Sequence, residues 1–269
     1  MGINNQAIGI FDSGAGGLTV ASAVKNILPD EKIIYFGDTA HLPYGDKSQE
    51  TIQKYSLEIT DFLLRRNCKV ILIACNTASA AAYERVKTYV GDKAIVINVI
   101  DPAAEYVANV QESEKIGVIG TKATIRSESY PQKINKKAKD KVVVSLATPL
   151  LVPMIEEAFV YDDISNAIIR KYLSDPELQG IDSLILGCTH YPIIKNQIRK
   201  FYEFETTVID SSIIAAKKLK EILEQNNLLN TQKNPEHEFY LSDFTDSFEK
   251  LAVMFFDKNI DVQVTDVKQ

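Results

Sequence analysis

Two cysteines stand where a thiol can do chemistry. Cys75 closes the run ILIAC and is followed by Asn76 and Thr77; Cys188 closes LILGC and is followed by Thr189 and His190. Each is read as lying just after a strand and just before a helix. In open α/β sheets, ligands bind in the crevice at the carboxyl ends of the strands. A helix N-terminus stabilises a thiolate through its dipole and free N–H groups, drawing a thiol pKa of about 8.5 toward neutrality. Hydroxyl, amide and backbone N–H groups at such turns suit a carboxylate. His190, two residues beyond its Cys, is placed to poise that thiol's ionisation, with helix capping as the competing reading. Cys68 precedes its strand and is read as packing.

Asp12, Ser13 and Gly14 follow the first apolar run, with Gly16 and Gly17 next. GAGG lacks the dinucleotide spacing and the P-loop lysine, so no phosphate cradle is expected. Asp12 is read as a site residue able to hold an amino group or assist a thiol, against plain N-capping. Asp38, Pro43, Tyr44 and Gly45 fall in the next strand-end loop. Thr121 and Thr124 supply hydroxyls, and Glu156 with Glu157 is read either as a carboxylate near Cys188 or, equally, as solvent-facing helix residues. His41 and His237 have weaker contexts. Inverting a stereocentre by proton transfer needs a base on one face and an acid on the other, and one thiolate with one thiol meets that need. The site must also stabilise a carbanion-like transition state with fixed hydrogen bonds and exclude water.

The elements that position these residues are legible as an alternation. Short apolar runs at Ala7–Phe11, Lys32–Phe36, Val70–Ala74, Ile95–Val99, Ile116–Ile119, Val142–Leu146, Ser183–Leu186 and Thr207–Ile209 suit strands buried on both faces of a parallel sheet. Amphipathic stretches at Thr51–Arg66 and Ile213–Leu223 read as helices. A late strand (Glu238–Leu241), helix (Phe244–Phe256) and short strand (Val262–Val264) follow. The class is α/β with right-handed crossovers. Three pairs of segments echo one another in order: IGIFDSG with IGVIGTKAT, DTAHLPYG with ATPLLVPMIEE, and ILIACNTAS with LILGCTHYP. Their spacing of roughly 110 residues predicts two related halves.

Composition bounds the function classes. The 269 residues are 45% hydrophobic and 25% charged, as in ordinary globular proteins. Thirty basic residues against 36 acidic ones leave −6, which argues against a nucleic-acid partner. The basic run Lys133–Lys141 lacks interleaved aromatics and reads as a solvated helix end. Three cysteines, an odd and small number, argue against a disulfide framework, and free thiols in a cytoplasmic protein are expected. The N-terminus has no signal-peptide pattern, and no apolar run is long enough to span a membrane.

FDSGAGGLTV, FGDTAHLPYG, ACNTAS, GTKATIRS, VPMIEE and LGCTHYP resemble, in order, the motifs of the glutamate racemases, cofactor-independent enzymes of bacterial cell-wall synthesis in the aspartate/glutamate racemase superfamily. The resemblance implies two related parallel-sheet α/β domains, residues 1–100 with 211–269 and residues 101–210. It implies that they face each other with pseudo-twofold symmetry across a cleft holding the site. It implies a homodimer, no pyridoxal phosphate or metal, and a product, D-glutamate, destined for peptidoglycan. By the same resemblance Cys75 takes the α-proton of D-glutamate and Cys188 that of L-glutamate. Asp12 assists Cys75; Glu156 and His190 assist Cys188. Ser13, Pro43, Tyr44, Gly45, Asn76, Thr77, Thr121, Thr124 and Thr189 match substrate-holding positions. His41 stands where many members are expected to carry Arg. The rival readings are an aspartate racemase, a non-catalytic amino-acid binding module, and a metal site of Cys75, Cys188, His190 and Asp12.

Overall fold

Apolar runs covered on both faces pair into parallel sheets, and amphipathic stretches between them make the crossovers. The computed structural model describes residues 3–110, 112–256 and 260–267, and contains two such sheets. The chain divides into two compact units, residues 1–99 with 212–269 and residues 100–211. Residues 1–2, 111, 257–259 and 268–269 of the expected domains lie outside the described residues.

In the first unit β1 (Ile8–Asp12), α1 (Leu18–Ile27), β2 (Ile33–Gly37), α2 (Gln49–Arg65), β3 (Val70–Ile73), α3 (Asn76–Val90) and β4 (Ile95–Asn98) alternate. The second unit begins with α4 (Ile100–Ala108), β5 (Lys115–Gly120), α5 (Lys122–Arg126), α6 (Ser129–Lys137) and β6 (Val142–Ala147). It continues through α7 (Leu151–Glu156), α8 (Asp163–Leu173), β7 (Ser183–Gly187), α9 (Lys195–Phe201) and β8 (Thr207–Asp210). Then α10 (Ser211–Gln225) leads to β9 (Glu238–Leu241), α11 (Asp246–Phe256) and β10 (Val262–Val264).

The first sheet runs β10-β9-β2-β1-β3-β4 and the second β6-β5-β7-β8. Every pairing among the described strands is parallel. The order β2-β1-β3-β4 in one sheet recurs as β6-β5-β7-β8 in the other, which gives the internal echo a topological form. Register then places the chemistry. Phe11 pairs with Ile73, so Asp12 and the Ala74–Cys75 turn leave adjacent strands at their carboxyl ends. Gly120 pairs with Gly187, which sets Thr121 beside Cys188 in the same way.

Strands β1, β2, β3 and β7 are buried along their whole lengths. Strand β6 departs from the expectation of two covered faces: Val142 is exposed and the rest is half-buried, because β6 is the edge of its sheet. Helix α2 buries Ile52, Ile59, Phe62 and Leu63 as its apolar stripe predicts, and starts at Gln49 because Ser48 caps it by accepting from the Thr51 N–H. Helix α11 begins at Asp246 rather than Phe244, since the Thr245 hydroxyl accepts from the Phe248 N–H and caps that turn.

A buried ion pair ties the first unit together at the opposite ends of its strands. Lys69 Nζ lies 2.7 Å from Glu31 Oε2 with both side chains almost fully buried. The ammonium also donates to the carbonyls of Asn4 and Leu228, and Glu31 Oε1 accepts from the Asn230 N–H. The basic run expected to be solvated is partly engaged instead: Lys133 pairs with Asp101 and Lys137 with Glu105 on α4, and Lys141 donates to the Val110 and Ser113 carbonyls. No helix among the described residues is long and apolar enough to cross a membrane.

Candidate active site

Strand β3 ends at Ile73, and the turn through Ala74 into α3 leaves Cys75 as the N-cap of that helix, buried, with its sulfur accepting from the Ala78 N–H at 3.4 Å. A sulfur in this position takes one of the orphan donors of the first helical turn, and the helix dipole favours its anion. Cys75 Sγ also lies 3.6 Å from Ser13 Oγ. Asn76 and Thr77, the first residues of α3, are buried beside it.

Asp12 is the last residue of β1 and is fully buried. Its Oδ1 accepts from the Gly14 N–H at 2.9 Å, closing the Asp12–Gly14 turn rather than capping a helix; Gly17 is the N-cap of α1. A Cβ on Gly17 would stand 2.4 Å from Asp12 Cβ and 2.7 Å from the Tyr35 hydroxyl oxygen. That glycine is therefore required by the seating of Asp12. Tyr35 donates to the Gly14 carbonyl at 2.5 Å, and burial together with the charges of Asp12 and Cys75 holds its phenol protonated, well above the usual range.

The second thiol has a different setting. Cys188 follows β7, but a short 3-10 turn, Tyr191–Ile194, comes next and α9 starts only at Lys195. The expectation that Cys188 opens an α-helix is thus corrected: a 3-10 turn, of the kind common at helix N-termini, stands between it and α9. Its electrostatic support comes from side chains instead. Cys188 Sγ is 3.7 Å from His190 Nδ1, and His190 Nε2 is 3.1 Å from Glu156 Oε1 at the end of α7. The second contact is an ion pair by distance, while neither of those two atoms makes a hydrogen bond of good angle. Burial alone pulls the His190 imidazole down; the Cys188 sulfur and the Glu156 carboxylate outweigh it and push the ring up to about 10. His190 does not cap with its side chain. Glu156 is half-buried and Glu157 exposed, so the first of the adjacent carboxylates is the one that reaches the site.

Thr121 caps α5 by accepting from the Thr124 N–H at 3.3 Å, and the two hydroxyls are 3.0 Å apart. Thr124 and Thr189 are buried. In the loop after β2, Pro43 is exposed and precedes the 3-10 turn Tyr44–Asp46 that contains Gly45; Tyr44 is buried. His237 lies elsewhere, accepting from the Ile33 N–H, and Cys68 is buried, its thiol pushed up to about 12 chiefly by that burial. Among the described residues no cluster of three His, Cys, Asp or Glu is arranged to hold a metal.

Sequence reasoning missed the buried tyrosines that flank the thiols. Tyr191 OH lies 2.6 Å from the Thr148 hydroxyl oxygen. Burial, then the Cys188 charge, raises the phenols of Tyr191 and Tyr130 well above their ordinary value. Tyr191 adjoins His190 in the GCTHYP segment, which was the available signal; Tyr35 sits within an apolar run and Tyr130 within the polar segment SESYPQK, and neither carried one.

Residues 18–219 match the family described as Asp/Glu/Hydantoin racemase. The chain is 43% identical to a protein of Geobacter metallireducens named glutamate racemase, over 93% of this chain and 92% of that one. It is similar in structure to a Francisella tularensis glutamate racemase solved in complex with D-glutamate, with a TM-score of 0.91, 43% identity and 98% of each chain covered. A glutamate racemase isoform from Bacillus anthracis matches with a TM-score of 0.93 at 35% identity, again over 98% of each chain.

Proposed function

This chain belongs to the Asp/Glu/hydantoin racemase family and is an amino-acid racemase, and from that premise we propose that it interconverts L- and D-glutamate with its two cysteines as opposed acid and base. The observation that carries the reading is the matched placement of two buried thiols, each at the carboxyl end of the corresponding strand in the four-strand order that the two sheets share. Thiols are suited to the task because their ordinary pKa of about 8.5 lets one be held as the base and the other as the acid near neutral pH.

In the L-to-D direction the Cys188 thiolate removes the α-proton, and the Cys75 thiol delivers its own proton to the opposite face. The α-carbon is inverted and the protonation states of the two sulfurs are exchanged, so the reverse reaction begins from the form the forward one leaves. His190, kept protonated by Glu156, stabilises the Cys188 thiolate; the α3 N-terminus does the same for Cys75. Asp12 assists Cys75. Ser13, Asn76, Thr77, Thr189, the Thr121–Thr124 pair and the Pro43–Tyr44–Gly45 turn hold the carboxylates and amino group. On this reading no cofactor takes part. The enzyme works as a homodimer in the cytoplasm, and its D-glutamate enters peptidoglycan synthesis.

The test is polarimetry of L-glutamate with purified protein under reducing conditions and without added cofactor, beside a parallel L-aspartate sample. Decay of rotation to zero with glutamate supports the reading. Decay with aspartate alone moves the substrate, and no decay with either overturns it.

A further inference from the structure

The loop between β2 and α2 carries a side-chain network that none of the proposed catalytic roles uses. Asp38 is buried and divides its carboxylate between two partners: Oδ2 accepts from the Tyr44 hydroxyl at 2.5 Å, and Oδ1 is 2.7 Å from His41 Nδ1. Burial and the adjacent Asp38 charge raise the Tyr44 phenol well above its ordinary value, so Tyr44 is the donor in that bond. The His41 ring stacks on Tyr55 of α2, with centroids 4.0 Å apart and planes 20° from parallel. Its outer side faces a cavity of about 540 Å³ lined also by Lys54, Glu58, Ser242 and Asp266. The neighbouring part of the same loop is fastened separately. Thr39 bonds through its hydroxyl to the Asp243 carbonyl and accepts from the Asp243 N–H, and the Ala40 N–H donates to Ser242 Oγ.

These contacts have one geometric effect. His41 is clamped between a buried carboxylate and an aromatic face, and that carboxylate fixes the hydroxyl end of Tyr44, whose backbone carries the Pro43–Gly45 turn. We infer that Asp38 and His41 are positioning residues for the racemase reaction, acting through Tyr44 to hold the Pro43–Tyr44–Gly45 turn in its substrate-binding form. The inference rests on the glutamate racemase reading above, since it is that reading that gives the turn its substrate. A guanidinium pairs with carboxylates and stacks on aromatic faces, so an Arg at position 41 is able to bond Asp38 and stack on Tyr55 as the imidazole does.

The experiment compares steady-state kinetics of the unaltered protein with His41→Ala, His41→Arg, Tyr44→Phe and the His41→Ala/Tyr44→Phe double variant. His41→Ala raises KM for glutamate about tenfold and lowers kcat less than about threefold, the pattern of lost ground-state and transition-state binding alike. His41→Arg restores KM to within about threefold of the parent, which a merely space-filling role for His41 does not predict. The double variant is no worse than the poorer single one, because both changes break one linkage. Full additivity in the double variant, or a His41→Ala KM within about twofold of the parent, overturns the inference while the racemase reading stands. Backbone hydrogen exchange in substrate-free protein is the second measurement: protection of the amides of residues 41–47 falls in His41→Ala and is unchanged if His41 positions nothing. If the unaltered protein fails to racemise glutamate, the reading beneath the inference falls, and the inference falls with it.

Discussion

Replacing Glu156 by Gln isolates the support beneath Cys188. The carboxylate oxygen lies 3.1 Å from His190 Nε2, with the His190 side chain 4% and the Glu156 side chain 23% exposed. An opposite charge this close, with so little water to screen it, moves a titrating group by about 1–3 pH units, or about 1.4–4 kcal/mol. The His190 contact to the Cys188 sulfur survives the substitution, so the ring falls from about 10 by that amount and not all the way to an ordinary imidazole. The sign of the stability effect follows. A folded-state value raised above an unfolded value of about 6.5 stabilises the fold fully below that pH and loses the contribution as pH rises through about 10. The parent is therefore more stable than Glu156→Gln by the most between about pH 5 and 6.5, and the difference disappears by about pH 10. The assay is nitrogen-detected NMR titration of the three histidines, alongside urea melts across that range. His237, lowered by burial and by Lys25 and Lys32, titrates well away from His190. A His190 titration unmoved to within about 0.3 pH units, or a stability gap that widens with rising pH, refutes the reasoning.

Other expectations follow from the same geometry. Cys75→Ser and Cys188→Ser each lower racemisation by about 10³-fold or more with thermal melting unchanged, because a serine hydroxyl is too weak an acid for the role; near-full turnover by either removes its thiol from the mechanism. Gly17→Ala drives a methyl into Asp12 and Tyr35, costing about 1–3 kcal/mol in a urea melt and lowering kcat; a neutral result shows that the α1 start yields without moving Asp12. Lys69→Met leaves Glu31 buried without its cation and costs about 3–5 kcal/mol, most of it recovered in Lys69→Met/Glu31→Met; a single variant as stable as the parent shows that the pair contributes little.

The strands were legible because burial on both faces makes them nearly continuous apolar runs, and β1, β2, β3 and β7 are buried throughout. Cys75 as a helix cap was legible for the same reason: strand end, thiol and helix start are consecutive in sequence. The Cys188 side was only half legible. Its thiol and His190 are near neighbours in sequence, but the strand–Cys–polar pattern does not distinguish a 3-10 turn from the first turn of an α-helix. Glu156 and Glu157 looked equivalent until the end of α7 set one inward and one outward. The Asp38–His41–Tyr44–Tyr55 network was hidden because it joins a loop to a helix by side-chain geometry. Tyr35 was hidden because a buried tyrosine in an apolar run is written like any other core aromatic, and Tyr130 because the polar segment SESYPQK around it gives no sign that its ring is buried.

The central claim is that two different groups move the two protons. Its most direct test is the reaction of L-glutamate in D₂O, stopped at a few per cent conversion, with both enantiomers separated and their α-positions read by mass. Two bases predict deuterium at the α-position of the D-glutamate formed and protium in the L-glutamate recovered. Substrate-derived protium carried into the product, or deuterium accumulating in the recovered substrate at the same rate, would contradict the account and point to a single base serving both faces.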